Sequence, residues 1–247
     1  MEIIGIILLI VAGICLWLWR RRQTMLTMIG ATTTYTADLL EDIHRRVATA
    51  VGADALAQRC EVSGVVEMDA PLLSKVSSTM CAAYRFTISR EYEETITETD
   101  SQGKTQTTVQ RGSEVIESGD VRTLFYVRDE TGRILVDPEG ADIEWQNTAS
   151  AFELAHDPGF ARRRTLGMRR TEQALPVGER VFVLGYAVDR GGRPALARSP
   201  KGERMIISRK NERQLIIATE RSARRLMIAA IACGALGVAL FVWRILT

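Results

Sequence analysis

The stretch Arg180-Val181-Phe182-Val183-Leu184-Gly185-Tyr186-Ala187-Val188, the turn Asp189-Arg190-Gly191-Gly192 and the run Pro194-Ala195-Leu196-Ala197 decide how the middle of this chain folds. A run rich in valine, leucine and aromatics that breaks at an aspartate and two glycines, then resumes as a short apolar run, spells two strands and a tight reversal. Met205-Ile206-Ile207-Ser208 adds another strand. Together, Gly178 to Ser208 looks like part of a small OB-like barrel.

Working outward, the same grammar recurs toward the amino terminus. Glu61-Val62-Ser63-Gly64-Val65-Val66, Ala83-Tyr84-Arg85-Phe86-Thr87-Ile88, Leu124-Phe125-Tyr126-Val127-Arg128 and Arg133-Ile134-Leu135-Val136 are strand-like. Asp129-Glu130-Thr131-Gly132 joins the last two as a hairpin loop. Polar residues dominate from Glu91 to Val109 around Asp100-Ser101-Gln102-Gly103-Lys104, which predicts two solvated strands and a long turn. Many short strands at close spacing predict an antiparallel sandwich or small barrel. Ahead of them, Leu39, Leu40, Ile43, Val47 and Val51 recur at helical spacing, with Thr36 or Asp38 to cap the helix start and Gly52 to end it.

The two ends differ from this middle. Ile3 to Trp19 is a run of 17 residues without a charge, followed by Arg20, Arg21 and Arg22, and Leu226 to Trp243 is a second run of 18. Each is long enough, as a helix, to cross most of a hydrocarbon core of about 30 Å. Glu2 precedes the first run and three arginines follow it, the reverse of a cleaved signal peptide. The spacings Ala230/Gly234 and Ala235/Ala239, with Gly5 and Gly13, suit close packing of the spans or of two chains into a homo-oligomer. The expected architecture is a membrane-anchored α+β fold: a β-rich antiparallel barrel or sandwich, OB-like in its second half, between two transmembrane helices. The expected divisions are an anchor over 1–22, a membrane-proximal helical segment over 23–58, the β-rich domain over 59–219 and a second span over 220–247.

Nine basic residues (Arg20, Arg21, Arg22, Arg209, Lys210, Arg213, Arg221, Arg224 and Arg225) flank the spans on the side of the middle domain, against Arg244 outside. The positive-inside rule then puts that domain in the cytoplasm of a prokaryotic inner-membrane protein. Between Gln23 and Thr219 there are 25 basic and 28 acidic residues, a poor surface for nucleic acid. Four cysteines and two histidines, with no CxxC or Cys/His spacing, exclude a zinc finger or RING module from this chain, and no cofactor is expected.

The order of features carries a resemblance. An amino-terminal span, a helix, Val62-Ser63-Gly64-Val65-Val66, Pro71-Leu72-Leu73-Ser74, Cys81-Ala82-Ala83-Tyr84, Asp129-Glu130-Thr131-Gly132, Val136-Asp137-Pro138-Glu139-Gly140-Ala141, Leu175-Pro176-Val177-Gly178-Glu179-Arg180-Val181 and a carboxy-terminal span are similar in sequence order to the GIDE family. This is the "beside a membrane" domain of mitochondrial membrane-anchored E3 ubiquitin ligases and their prokaryotic relatives. Eukaryotic members add a RING domain that recruits the ubiquitin-charged conjugating enzyme. With no RING ligands here, the resemblance implies the regulatory or substrate-binding half of such a ligase, without autonomous activity, acting on an unidentified protein partner beside the lipid bilayer. In the mitochondrial relatives this domain faces the intermembrane space, whereas the arginines here place it in the cytoplasm.

The densest basic stretch outside the span flanks is Phe160 to Arg170. Arg162, Arg163, Arg164, Arg169 and Arg170 are the candidate contact to anionic headgroups or a phosphorylated ligand, with a solvated loop as the bland outcome. Cys81 with a histidine could be imagined as nucleophile and base, yet its small neighbours suit a buried, inert thiol. A Cys60–Cys81 disulfide would require an oxidising compartment, against the expected orientation. Asp137-Pro138-Glu139 and Asp157-Pro158-Gly159 read as turns rather than paired carboxylates.

Overall fold

A computed structural model of the chain describes all residues except 1, 31–33, 53–54, 100–104, 156–162, 200, 211 and 247. Two long helices, α1 (Glu2–Gly30) and α3 (Glu212–Leu246), pack along one another. Small residues permit the approach: Ala12 and Ala230 are buried, and a Cβ placed on Gly234 would sit 3.9 Å from that of Ala12. Among the described residues, Thr219–Ala239 is the one segment long and apolar enough to cross a membrane.

The β-rich part opens with α2 (Ala37–Val51) and β1 (Ala57–Glu67). The buried stripe of α2 is Ala37, Leu40 and His44, with Ile43 and Val47 leaning on the core, while Leu39 and Val51 face outward. The predicted apolar set therefore splits, because the helix turns Leu40 rather than Leu39 toward the barrel. The expected side-chain cap also differs: Thr36 is the N-cap residue but its hydroxyl makes no capping bond. Instead the Asp129 carboxylate accepts from the Ala37 amide at 2.8 Å, and the Thr131 hydroxyl oxygen accepts from that of Asp38 at 3.2 Å. Gly52 ends the helix as expected, at φ 99°.

Five strands close a ring. β1 pairs with β5 (Phe125–Arg128), β5 with β6 (Arg133–Val136), β6 with β11 (Pro194–Ala197), β11 with β10 (Arg180–Asp189), and β10 returns to β1. All pairings in the ring are antiparallel except β6 with β11. This is the five-stranded arrangement of an OB-like barrel. The expectation of a wholly antiparallel domain is corrected here and again where β12 (Ile206–Ser208) runs parallel to β7 (Asp142–Ile143), because β6 and β7 reach their partners by long connections rather than hairpins. Cys60, Val62 and Val66 of β1, Phe125 and Val127 of β5, and Ile134 and Val136 of β6 alternate inward at period two and fill the ring. β10 is buried on both faces from Val181 to Gly185, which is why it reads as a continuous apolar run. Gly64 lies where β5 crosses β1: a Cβ there would meet the Arg128 carbonyl oxygen, so no larger residue fits without moving backbone.

The second sheet is built by two excursions from the barrel. Between β1 and β5 the chain makes β2 (Leu72–Leu73), β3 (Met80–Thr99) and β4 (Thr105–Arg122); between β6 and β10, after β7 has joined β12 in the first sheet, it makes β8 (Gln146–Leu154) and β9 (Arg163–Pro176). β9 pairs antiparallel with β3, joining the two excursions, while β4 and β8 form the outer strands. At about 3.3 Å per residue β3 is roughly 60 Å long. Its end past Glu94 has β4 as its sole strand partner among the described residues.

Candidate functional site

β9 carries the basic residues singled out in the sequence. Arg162 lies outside the described residues, as do His156 and Asp157-Pro158-Gly159. Arg163, Arg164, Arg169 and Arg170 stand on a strand, not on a solvated loop: Arg163 and Arg164 pair with β3, and Arg169 and Arg170 are held between β3 and β8. The correction has a simple cause: the run alternates across a pleat, so its charges can be matched by glutamates at the same period on β3, β4 and β8. Arg163 reaches Glu114 at 2.9 Å, sharing it with Arg90 at 2.6 Å, and its guanidinium lies 3.5 Å from the Tyr92 ring centroid. Arg169 pairs with Glu91 and covers Phe152 at 5.2 Å; Arg170 pairs with Glu153 at 2.5 Å. The bond from Arg90, its charge and that of Arg163 hold Glu114 below the usual carboxylate range. Exposed pairs of this kind each contribute about 0–1 kcal/mol, so they set strand register more than they stabilise the sheet.

Aromatic rings cover the glycines of this sheet. Tyr92 lies over Gly112, Phe86 over Gly119 at 2.7 Å from where a Cβ would be, and Phe152 over Gly167 at 2.6 Å. A ring laid across a glycine on the next strand restores packing that the missing side chain would lose. Directly opposite Phe86, Glu172 is 1% exposed. Its carboxylate accepts from the Ser74 hydroxyl at 2.8 Å, the Val76 amide at 2.6 Å, the Ser77 amide at 3.3 Å and hydroxyl at 2.5 Å, and the Thr148 hydroxyl at 2.8 Å. Burial alone would raise its pKa, but these donors outweigh it and hold the group below its ordinary value. Sequence reading passed over this site; Ser74, Ser77 and Thr148 signal nothing until the β2–β3 loop folds over β9.

Among the described residues, Cys60, Cys81 and His44 are held in structural contacts. Burial raises the Cys60 thiol to about 12 and the Cys81 thiol to about 11, and both are free. Neither is a thiolate near neutral pH. His44 is hydrogen-bonded through Nε2 to Asp189 at 2.6 Å, with both side chains about nine-tenths buried, so it joins α2 to the end of β10 rather than serving a cysteine. That bond, with one from the Gly192 amide, lowers the Asp189 pKa. Asp137 accepts from the Glu139 amide at 3.1 Å, the turn expected before a proline. Among the described residues no group of three or more His, Cys, Asp or Glu side chains is placed to hold a metal.

The second sheet is thus long, charged and braced by aromatic rings. Among the curated proteins and among the solved structures nothing matches this chain. A family model described as GIDE, E3 ubiquitin ligase, matches residues 93–242, from the outer third of β3 through most of α3. That span is about three-fifths of the chain and takes in most of the second sheet, four of the five barrel strands and the apolar part of α3, so the chain belongs to the GIDE family.

Proposed function

We propose that this chain is a membrane-tethered protein-binding module of a ubiquitin-ligase-related system, held to the bilayer by α1 as well as α3. The observation that carries the reading is the helix pair. Ile6, Ile10, Ile14 and Trp17 of α1 and Met227, Ile231, Leu236 and Val238 of α3 point away from the protein, each at least two-fifths exposed. Apolar surface on that scale marks contact with lipid or another protein, and burying each such side chain gains about 1.5–3 kcal/mol. The β-rich part between the helices then projects from the membrane as a docking surface, on the cytoplasmic side by the positive-inside rule. A protein partner retained from detergent-solubilised membranes by the full chain, and lost when residues 59–208 are replaced by an unrelated domain, is the expected result; retention by the helices alone would refute it.

In the second reading the module serves a ligase in which another polypeptide supplies catalysis; the family description favours it. With activating enzyme, conjugating enzyme and ubiquitin, the purified chain should form no conjugates above background, because it holds no Cys/His ligand set. Conjugation abolished by a substitution in this chain would overturn that.

Within either reading, Arg162, Arg163, Arg164, Arg169 and Arg170 are the proposed contact to an anionic surface. Because the Arg163, Arg169 and Arg170 guanidiniums have glutamate partners, the contact must compete with those pairs and should be weaker than about 1 kcal/mol per arginine. Serine at all five positions should lower salt-sensitive flotation with anionic liposomes; unchanged flotation would rule the contact out.

A further inference from the structure

A cleft of about 630 Å³ lies between α2 and the rim of the barrel. One wall is a stripe of α2, with Glu41, His44, Arg45, Ala48 and Thr49 at helical spacing. The opposite wall is Tyr126 of β5, Arg133, Ile134 and Leu135 of β6, and the Gly192-Arg193-Pro194 turn between β10 and β11. Ala48, Leu135, Tyr126 and Pro194 give part of the cleft an apolar lining, and three guanidiniums stand around it.

The three arginines are not equivalent. Arg133 is held by Asp69 at 2.8 Å and lies 4.1 Å over the Tyr126 ring. Arg45 approaches Asp42 only at 3.9 Å. The Arg193 side chain has no ion-pair or hydrogen-bond partner among the described residues. Glu41 is the one carboxylate on the lining, and His44 is fixed by Asp189 beneath it. Two cations with little or no local neutralisation thus stand on opposite walls of a cleft that is apolar in part, the opposite of β9, where most of the charge is already paired. The cleft walls do not depend on their heads: Arg45 is three-quarters exposed, and Arg193 sits on a turn closed by the bond from the Arg190 amide to the Arg193 carbonyl.

We propose that this cleft binds a short acidic-and-apolar segment of a partner polypeptide, its carboxylates meeting Arg45 and Arg193 and an apolar side chain lying over Tyr126 and Leu135. The inference rests on the protein-binding reading above and names the chemistry of the segment bound. Guanidiniums are suited to carboxylates because their planar fork can donate two parallel bonds. An apolar lining next to them selects against a bare anion.

The test uses the full chain in detergent micelles and a fluorescent octapeptide of alternating glutamate and leucine, with a lysine–leucine peptide as its charge-reversed control. The acidic peptide should bind, the basic one should not, and the Arg45→Ser/Arg193→Ser double variant should bind at least tenfold more weakly, while Arg46→Ser, just outside the cleft, should bind as the parent does. Inorganic phosphate in excess should leave most of the peptide bound. Equal affinity for the two peptides, no binding of either, full displacement by phosphate, or an unaffected double variant would overturn the proposal. A partner captured from membranes equally by the parent and the double variant would overturn the cleft alone and leave the docking reading standing; no partner captured by either would remove that reading instead.

Discussion

Glu172 shows how much a single side chain can hold in place. A carboxylate out of water is costly unless its lone pairs are filled, and here five donors from the β2–β3 loop and β8 fill them. Glu172→Gln keeps the shape but turns an amide NH₂ toward groups that donate, and should cost about 1–3 kcal/mol in the denaturant midpoint of the micellar chain. The pH dependence follows from the direction of the shift: the folded group has a pKa below its unfolded value. Its contribution is therefore complete above the unfolded pKa, about 4.3, and is lost as pH falls through the folded value. The gap between parent and Glu172→Gln should be full at pH 7 and narrow steadily below about pH 5. A gap independent of pH would mean that the carboxylate's charge is not what the loop recognises.

At the scale of elements, the start of α2 is held by another part of the chain. Asp129 closes its own hairpin by accepting from the Thr131 and Gly132 amides and still offers Oδ2 to Ala37. Those bonds outweigh burial and keep its pKa below the ordinary aspartate value. Asp129→Ala should cost about 0.5–2 kcal/mol and speed hydrogen exchange in the first turn of α2, while Thr36→Ala, whose hydroxyl caps nothing, should change neither; the reverse outcome would restore the local cap. This element also marks how far sequence carries. Asp129-Glu130-Thr131-Gly132 is legible as a hairpin loop because turn chemistry is local, and the inward alternation of β1, β5 and β6 is legible because period two is local. Its second task, capping a helix 92 positions away, leaves no local trace. The same holds for the two parallel pairings and for the cage around Glu172. The strand character of β9 was within reach, since Glu91, Glu114 and Glu153 supply its counter-charges, but only register could reveal the match. Arg45, with only a long pair to Asp42, and Arg193, without a side-chain partner among the described residues, are hidden in sequence among 28 arginines.

For the molecule as a whole, the nine basic residues on the inner flanks make orientation testable. A reporter active only in the periplasm should work when fused after Thr247 and fail when inserted at the Ser101–Lys104 turn; the opposite pattern would invert the topology and place Cys60 and Cys81 in an oxidising compartment. The ring described for the barrel has a further consequence, in time rather than in space. β1 can be sealed only by β10, and β6 only by β11, yet β11 ends at Ala197, about four-fifths of the way along the chain. At roughly 5–20 residues per second of synthesis, β1 waits on the order of ten seconds with Val62 and Val66 uncovered. Pairings between such distant segments are slow to form. A ribosome stalled before Ala197 would therefore release an open strip of strands, a substrate for proteases and chaperones and not a smaller folded domain.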